Sequence, residues 1–154
     1  MVTEKRHGGF AYMALLVVIF ASSLALSVAL PDKYQQAKRE RETQLLFVGQ
    51  QYANAIRSFY ENPYVSIKRY PDTLDELLVD NRTAVPRHHL RQLYRDPITG
   101  SKEWGVLRNE EDQIIGVFSL SKDTPLRTNF GLETMVGIAA GDKYEDIKFV
   151  YLRQ

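Results

Sequence analysis

Two adjacent histidines, His88 and His89, are the side chains best suited by type to hold a metal ion. Their spacing argues otherwise. Neighbouring residues point to different faces of a helix, no H-x-x-x-H or H-E-x-x-H accompanies them, and the chain has no cysteine. They read as a surface pair beside Arg87. Asp96, Glu103, Glu110, Glu111 and Asp112 offer carboxylate oxygens to calcium, but the D-x-D-x-D-G spacing of a dedicated loop is missing. Ser119 and Ser121 lack a G-x-S-x-G context, so no nucleophile elbow is expected. Gly137 and Gly141 stand apart without the Gly-Lys-Ser/Thr of a phosphate loop. Trp104 and the tyrosines 52, 60, 70, 94 and 151 read as core or core edge rather than a ligand box. The expectation is no enzyme, with no catalytic, cofactor-binding or metal residues.

Those residues belong to a chain of 154, long enough for one domain. Twenty Lys+Arg against nineteen Asp+Glu leave a net charge of +1, with both signs mixed along the sequence, unlike a nucleic-acid binder. The missing cysteines remove disulfides and thiolate chemistry, and they fit either redox compartment.

The elements that position these residues begin with an apolar run. Residues 10–30 are 21 in a row without a charge. As a helix they would span roughly 30 Å, the hydrocarbon thickness of a bilayer. Beyond Pro31, Leu45, Val48, Tyr52, Ala55, Ile56 and Phe59 fall on one helical face, and Asn62-Pro63 ends the pattern. Pro31 either kinks this helix or begins its second half. The charged run Lys38-Arg39-Glu40-Arg41-Glu42 reads as a solvated helix face or as a contact surface between subunits. Residues 62–72 are loop. Thr73-Leu74-Asp75-Glu76 matches a capping box, so a short helix is expected from Thr73, with another helical turn at 87–94. Asp96-Pro97-Ile98-Thr99-Gly100 is turn chemistry. Strands are expected at 103–108, 114–120 and 147–152, the first two joined by Asn109-Glu110-Glu111-Asp112. Residues 126–142 are unassigned. The layout is α+β, a long N-terminal helix packed on a small antiparallel sheet.

Three readings fit residues 1–31. A removable signal peptide would use Lys5 and Arg6 as its basic region and Ser27-Val28-Ala29 as its cleavage site, although the apolar run is long for one. An uncleaved anchor is the second. The third rests on resemblance. Gly8-Gly9-Phe10 followed by Ala11-Tyr12-Met13-Ala14-Leu15-Leu16-Val17-Val18-Ile19 resembles the N-terminus of type IV pilins and type II secretion pseudopilins. In that family a prepilin peptidase cuts after the glycine and methylates the new amine, here between Gly9 and Phe10. Many members also carry a proline where this chain has Pro31. They usually carry glutamate where this chain has Ala14, and some minor, tip-located pseudopilins lack it. Further on, Tyr70-Pro71-Asp72-Thr73-Leu74-Asp75-Glu76-Leu77, Leu93-Tyr94-Arg95-Asp96-Pro97-Ile98-Thr99-Gly100, Glu103-Trp104-Gly105, Ser119-Leu120-Ser121 and Lys148-Phe149-Val150-Tyr151 are similar to relatives of the major type II pseudopilin.

The resemblance implies a pilin-like fold with a leader at 1–9, a transmembrane helix half at 10–30 and a periplasmic head at 31–154. It implies single-pass insertion in the bacterial inner membrane with the N-terminus cytoplasmic. The positive charges alone slightly favour the opposite orientation, since Lys33, Lys38, Arg39 and Arg41 follow the span. Expected partners are prepilin peptidase, other pilin or pseudopilin subunits and an inner-membrane assembly platform. Gly9 and Phe10 would be the processing and methylation residues. Ala14 and Pro31 would bear on assembly, and Ala21, Ser22, Ser23, Ala25 and Ser27 would permit close helix approach. Calcium enters through the major pseudopilin relatives, which bind it in a late loop. The alternative is a secreted or anchored binding module.

Overall fold

A computed structural model describes residues 8–126 and 142–151, with the side chains of 24–32 outside the description. The chain divides into two units, Met1–Arg39 and Glu40–Gln154. Helix α1, Gly8–Tyr60, contributes to both and runs through Pro31 as one element. Three strands follow, β1 (Gly105–Arg108), β2 (Ile114–Phe118) and β3 (Lys148–Val150), with short 3-10 turns at Leu74–Leu77 and Tyr144–Asp146.

In the first unit the described side chains require a correction. Among the described residues no helix is long and apolar enough to cross a membrane. The described apolar stretch, residues 10–21, holds twelve residues before Ser22 and Ser23. These two turn their hydroxyls back onto the carbonyls of Val18 and Ile19. Twelve residues cover about 18 Å of helix, short of the roughly 30 Å of a bilayer core. The transmembrane half of the expected fold is overturned on that ground, and single-pass anchoring in the inner membrane, N-terminus cytoplasmic and head periplasmic, falls with it. Ala25 and Ser27 lie outside the described side chains, as does the side chain of Pro31.

The second unit is the α+β layout. The stripe Leu45, Val48, Tyr52, Ala55, Ile56 and Phe59 is buried throughout, because an apolar face at helical spacing is stabilised by whatever sheet covers it. The cover is an antiparallel sheet in the order β1-β2-β3. Val117 pairs with Val106 on one side and with Phe149 on the other, and a bulge falls between Leu107 and Arg108. The turn between β1 and β2 places Asp112 at a positive φ of 60°, a conformation Asp tolerates better than most residues. Val117, Phe149, Ile114, Ile147, Tyr144, Leu77, Leu90 and Trp104 complete the core with the helix. Gly49 in mid-helix lies directly against the Phe149 ring, where a Cβ would overlap it. Trp104 is 8% exposed, packs on Tyr52 at 5.3 Å between ring centroids and donates its Nε1–H to the Tyr94 carbonyl at 2.9 Å.

Several local expectations differ from what is seen. Thr73 does precede a helical turn, but it is a 3-10 turn and its side chain makes no capping bond. Glu76, the other half of the expected box, is instead drawn to Arg69 at 2.9 Å. Residues 87–94 are not helical. Arg87 forms an isolated antiparallel bridge with Asp80, and the N–H groups of His89 and Leu90 both donate to the Leu77 carbonyl. The strands are shorter than expected. After Phe118 the chain is held by side chains, Ser119 Oγ donating to Asp96 and accepting from Ser121 N–H, so ladder pairing stops. Leu152 lies outside the described residues.

Candidate functional site

Gly9, Phe10 and Ala14 lie near the start of α1, all exposed. The side chains from Phe10 to Phe20 that carry large apolar groups are also exposed, from 83% at Phe10 down to 45% at Leu16. In water such a surface is unfavourable until something apolar covers it.

In the head, the residues with chemical potential gather where α1 ends. Ser58 lies in the last turns of the helix, Asn62 just beyond it, and Asp80 and Arg82 on the loop that bridges back to Arg87. Asp80 is fully buried and takes four donors. They are Arg82 Nε at 2.8 Å and Nη2 at 2.8 Å, Asn62 Nδ2 at 3.2 Å, and the Arg82 backbone N–H at 3.1 Å. His89 Nε2 adds a contact at 3.1 Å, and its side chain is only 3% exposed. The Arg82 side chain and then its backbone N–H, His89 and Asn62 together outweigh burial and hold the Asp80 carboxyl well below the usual carboxylate range. Arg82 also reaches the Phe59 carbonyl at 2.6 Å and lies over the Phe59 ring.

This cluster contains a hydroxyl, an imidazole and a carboxylate in series, since Ser58 Oγ stands 2.8 Å from His89 Nδ1. The connectivity is that of a nucleophile relay, but the surroundings do not complete one. Ser58 sits inside α1, where backbone N–H groups are committed to carbonyls one turn back and cannot stabilise an oxyanion. Asp80 is committed to Arg82. The cluster clamps the end of the helix to the 80–89 loop. His89 is therefore a buried structural residue and not half of a surface pair; His88 remains exposed, bonded to the Leu78 carbonyl. The sequence carried no signal for this, because the partners of His89 come from two distant segments, Ser58 and Phe59 at the end of α1 and Leu77 and Asp80 beyond it.

A second buried carboxylate belongs to the charged run of residues 38–42. Glu42 is 0% exposed, its Oε1 accepting from Tyr144 Oη at 2.8 Å and from Leu126 N–H at 2.5 Å. For this residue neither reading of the run applies; it is internal to the head. Asp96 is the third, anchoring its own turn through Ile98 N–H, Thr99 and Ser119, with Gly100 at φ 73°. Ser119 is thus committed to a structural bond. Burial pushes the Tyr52 hydroxyl up to about 12, against the opposing effect of the Tyr94 N–H that donates to its oxygen.

Among the described residues no group of three or more His, Cys, Asp or Glu side chains is placed to hold a metal ion. Asp96, Glu103, Glu110, Glu111 and Asp112 do not converge on one. Gly137 and Gly141 lie outside the described residues. No family model matches this chain, and no curated protein or solved structure matches it.

Proposed function

We propose that this protein is a structural assembly subunit and not an enzyme, a pseudopilin or minor-pilin-like component of a type II secretion or type IV pilus system. In this reading a prepilin peptidase cuts between Gly9 and Phe10 and methylates the new amine, and other pilin or pseudopilin subunits cover the freed helix. One observation carries it. Nine large apolar side chains between Phe10 and Phe20 stand exposed on a helix whose other end is built into a folded head. Covering even half of them is worth on the order of 10 kcal/mol. That is comparable with the roughly 4–15 kcal/mol that association costs. Ala14 offers no carboxylate to a neighbour's amine, which fits a low-copy or tip position. The Ser58–His89–Asp80 series, lacking oxyanion donors, lends no weight to an enzyme.

The test is mass spectrometry of the mature N-terminus of the full-length protein from cells that contain a prepilin peptidase. A methylated Phe10 is the expected result. A chain beginning at Leu30 would indicate a signal peptide and a released binding module, and an intact Met1 would show that the Gly9-Phe10 bond is not processed. Either overturns the proposal.

A further inference from the structure

The loop that follows the Asp80 clamp forms one wall of a cleft of about 600 Å³, lined by Tyr64, Arg82, Thr83, Ala84, Val85 and Arg87. Its lining is unlike an ordinary surface hollow in three respects. Val85 and Tyr64 are 74% and 70% exposed, large apolar groups left facing water on a small head. The Arg87 guanidinium lies 4.5 Å over the Tyr64 ring and has no ion pair among the described residues. Among the described residues no carboxylate lines the cleft, and the buried Nη1 of Arg82 has no hydrogen-bond partner.

The wall is also fixed before anything binds. Asp80 and Arg87 exchange both backbone hydrogen bonds, at 2.7 and 3.1 Å. Thr83 Oγ1 donates to the Val85 carbonyl at 2.8 Å across the turn. A guanidinium stacked on an aromatic ring keeps its edge N–H groups in plane and available, so little freedom is lost when a carboxylate arrives. Arg87 also lines a polar hollow of about 400 Å³ together with Asn54, Arg57, Ser58, Glu61 and Asn62, where Glu61 is paired with Arg57. Arg87 thus stands between an apolar and a polar depression.

We propose that this cleft is a docking site for an extended segment of a partner protein carrying an Asp or Glu beside an aliphatic or aromatic residue. The carboxylate pairs with the Arg87 edge, and the neighbouring apolar side chain enters the hollow at Tyr64 and Val85. Charge complementarity selects this occupant, because the cleft offers a guanidinium without an ion pair among the described residues beside exposed apolar side chains, and Glu61, the acid of the adjoining hollow, is already held by Arg57 and Tyr151. Such charge-assisted bonds are the strong ones, and an aromatic-flanked arginine is the side-chain type that dominates interfaces. All of its lining residues belong to the second unit.

The experiment is selection of random 12-residue peptides displayed on phage against the full-length protein, with prior depletion on its Arg87→Gln variant. The Arg87 side chain stands outside the core, so this variant folds, which circular dichroism checks. Enriched peptides should carry Asp or Glu within two positions of Leu, Ile, Phe or Tyr. Synthetic copies should bind the Arg87→Gln and Val85→Asp variants about tenfold or more weakly. Their affinity for Arg108→Gln should stay within about twofold, since Arg108 lies on β1, lines neither hollow and is paired with Asp112. Failure to enrich any peptide, enrichment of acid-free sequences, or equal binding to Arg87→Gln would overturn the proposal. Sedimentation of the full-length protein supplies the remaining arm. If Arg87→Gln abolishes self-association while no peptide depends on Arg87, the cleft is an interface between copies and the partner-segment proposal falls.

Discussion

Replacing Gly49 with alanine sets two effects of opposite sign against each other. In an exposed helix interior the change stabilises, because alanine is favoured over glycine by about 1 kcal/mol. Gly49 is not exposed. The added Cβ would fall well inside van der Waals contact of three atoms of the Phe149 ring, which is fully buried under β3. Forcing an extra methyl into a close-packed core costs typically about 1–3 kcal/mol. The ring cannot swing clear, because Val117 pairs beside it and the strand is held on Gly116, Val117 and Phe118. Overlap with three atoms of a buried ring puts the steric cost at the upper end, about 2–3 kcal/mol, so the steric effect wins and a net destabilisation of about 1–2 kcal/mol is expected. With a urea slope of about 2 kcal/mol/M, the middle of the usual range, the midpoint should fall by about 0.5–1 M. The single tryptophan, Trp104, is buried against Tyr52 and reports unfolding by fluorescence in the full-length protein. Phe149→Ala alone should cost about 3–5 kcal/mol, and the double variant should cost less than the sum because the cavity accepts the new methyl. An unchanged or raised midpoint in Gly49→Ala, or strict additivity in the double variant, would refute the close approach of β3 to the helix.

Three further outcomes are expected. Trp104→Ala should cost about 3–5 kcal/mol, and Trp104→Phe should recover part of the packing but not the bond to the Tyr94 carbonyl; urea curves followed by circular dichroism decide this. Asp80 has a folded pKa below its unfolded value near 4, so its contribution is fully present above that value and lost as pH falls further. Asp80→Asn should therefore be less stable at pH 7 yet lose less additional stability below about pH 4 than the wild type, which a series of melts across pH would show. Gly9→Val should abolish processing at Phe10, seen as a full-length chain on a gel beside the shortened wild type; equal mobility of the two would count against the peptidase reading.

Much of the head could be read along the chain wherever the cause was local. The helical stripe at Leu45, Val48, Tyr52, Ala55, Ile56 and Phe59 repeats with the helix period and ended up buried as a set. The turn at Asp96 to Gly100 follows from Asp bonding its own backbone and Gly accepting a positive φ. The three strands lie inside the expected ranges, and Trp104 sits where the first meets the helix. What failed was decided by partners distant in sequence. Thr73 and Glu76 satisfy the spacing of a capping box, but Arg69 competes for the glutamate and wins with an ion pair. Residues 87–94 have helix-compatible composition, yet Asp80 and Leu77 claim their backbone N–H groups. Glu42 and His89 look like surface residues because each is polar in a polar run. Tyr144 lies 102 residues from Glu42, and Asp80 meets His89 only after the loop folds back. The sequence by itself determined the amphipathic helix, the Asp96 turn and the three strands, since those follow from periods and backbone preferences of neighbouring residues. Only the tertiary structure decided which polar groups are buried, because a buried charge is tolerated solely where distant donors converge on it.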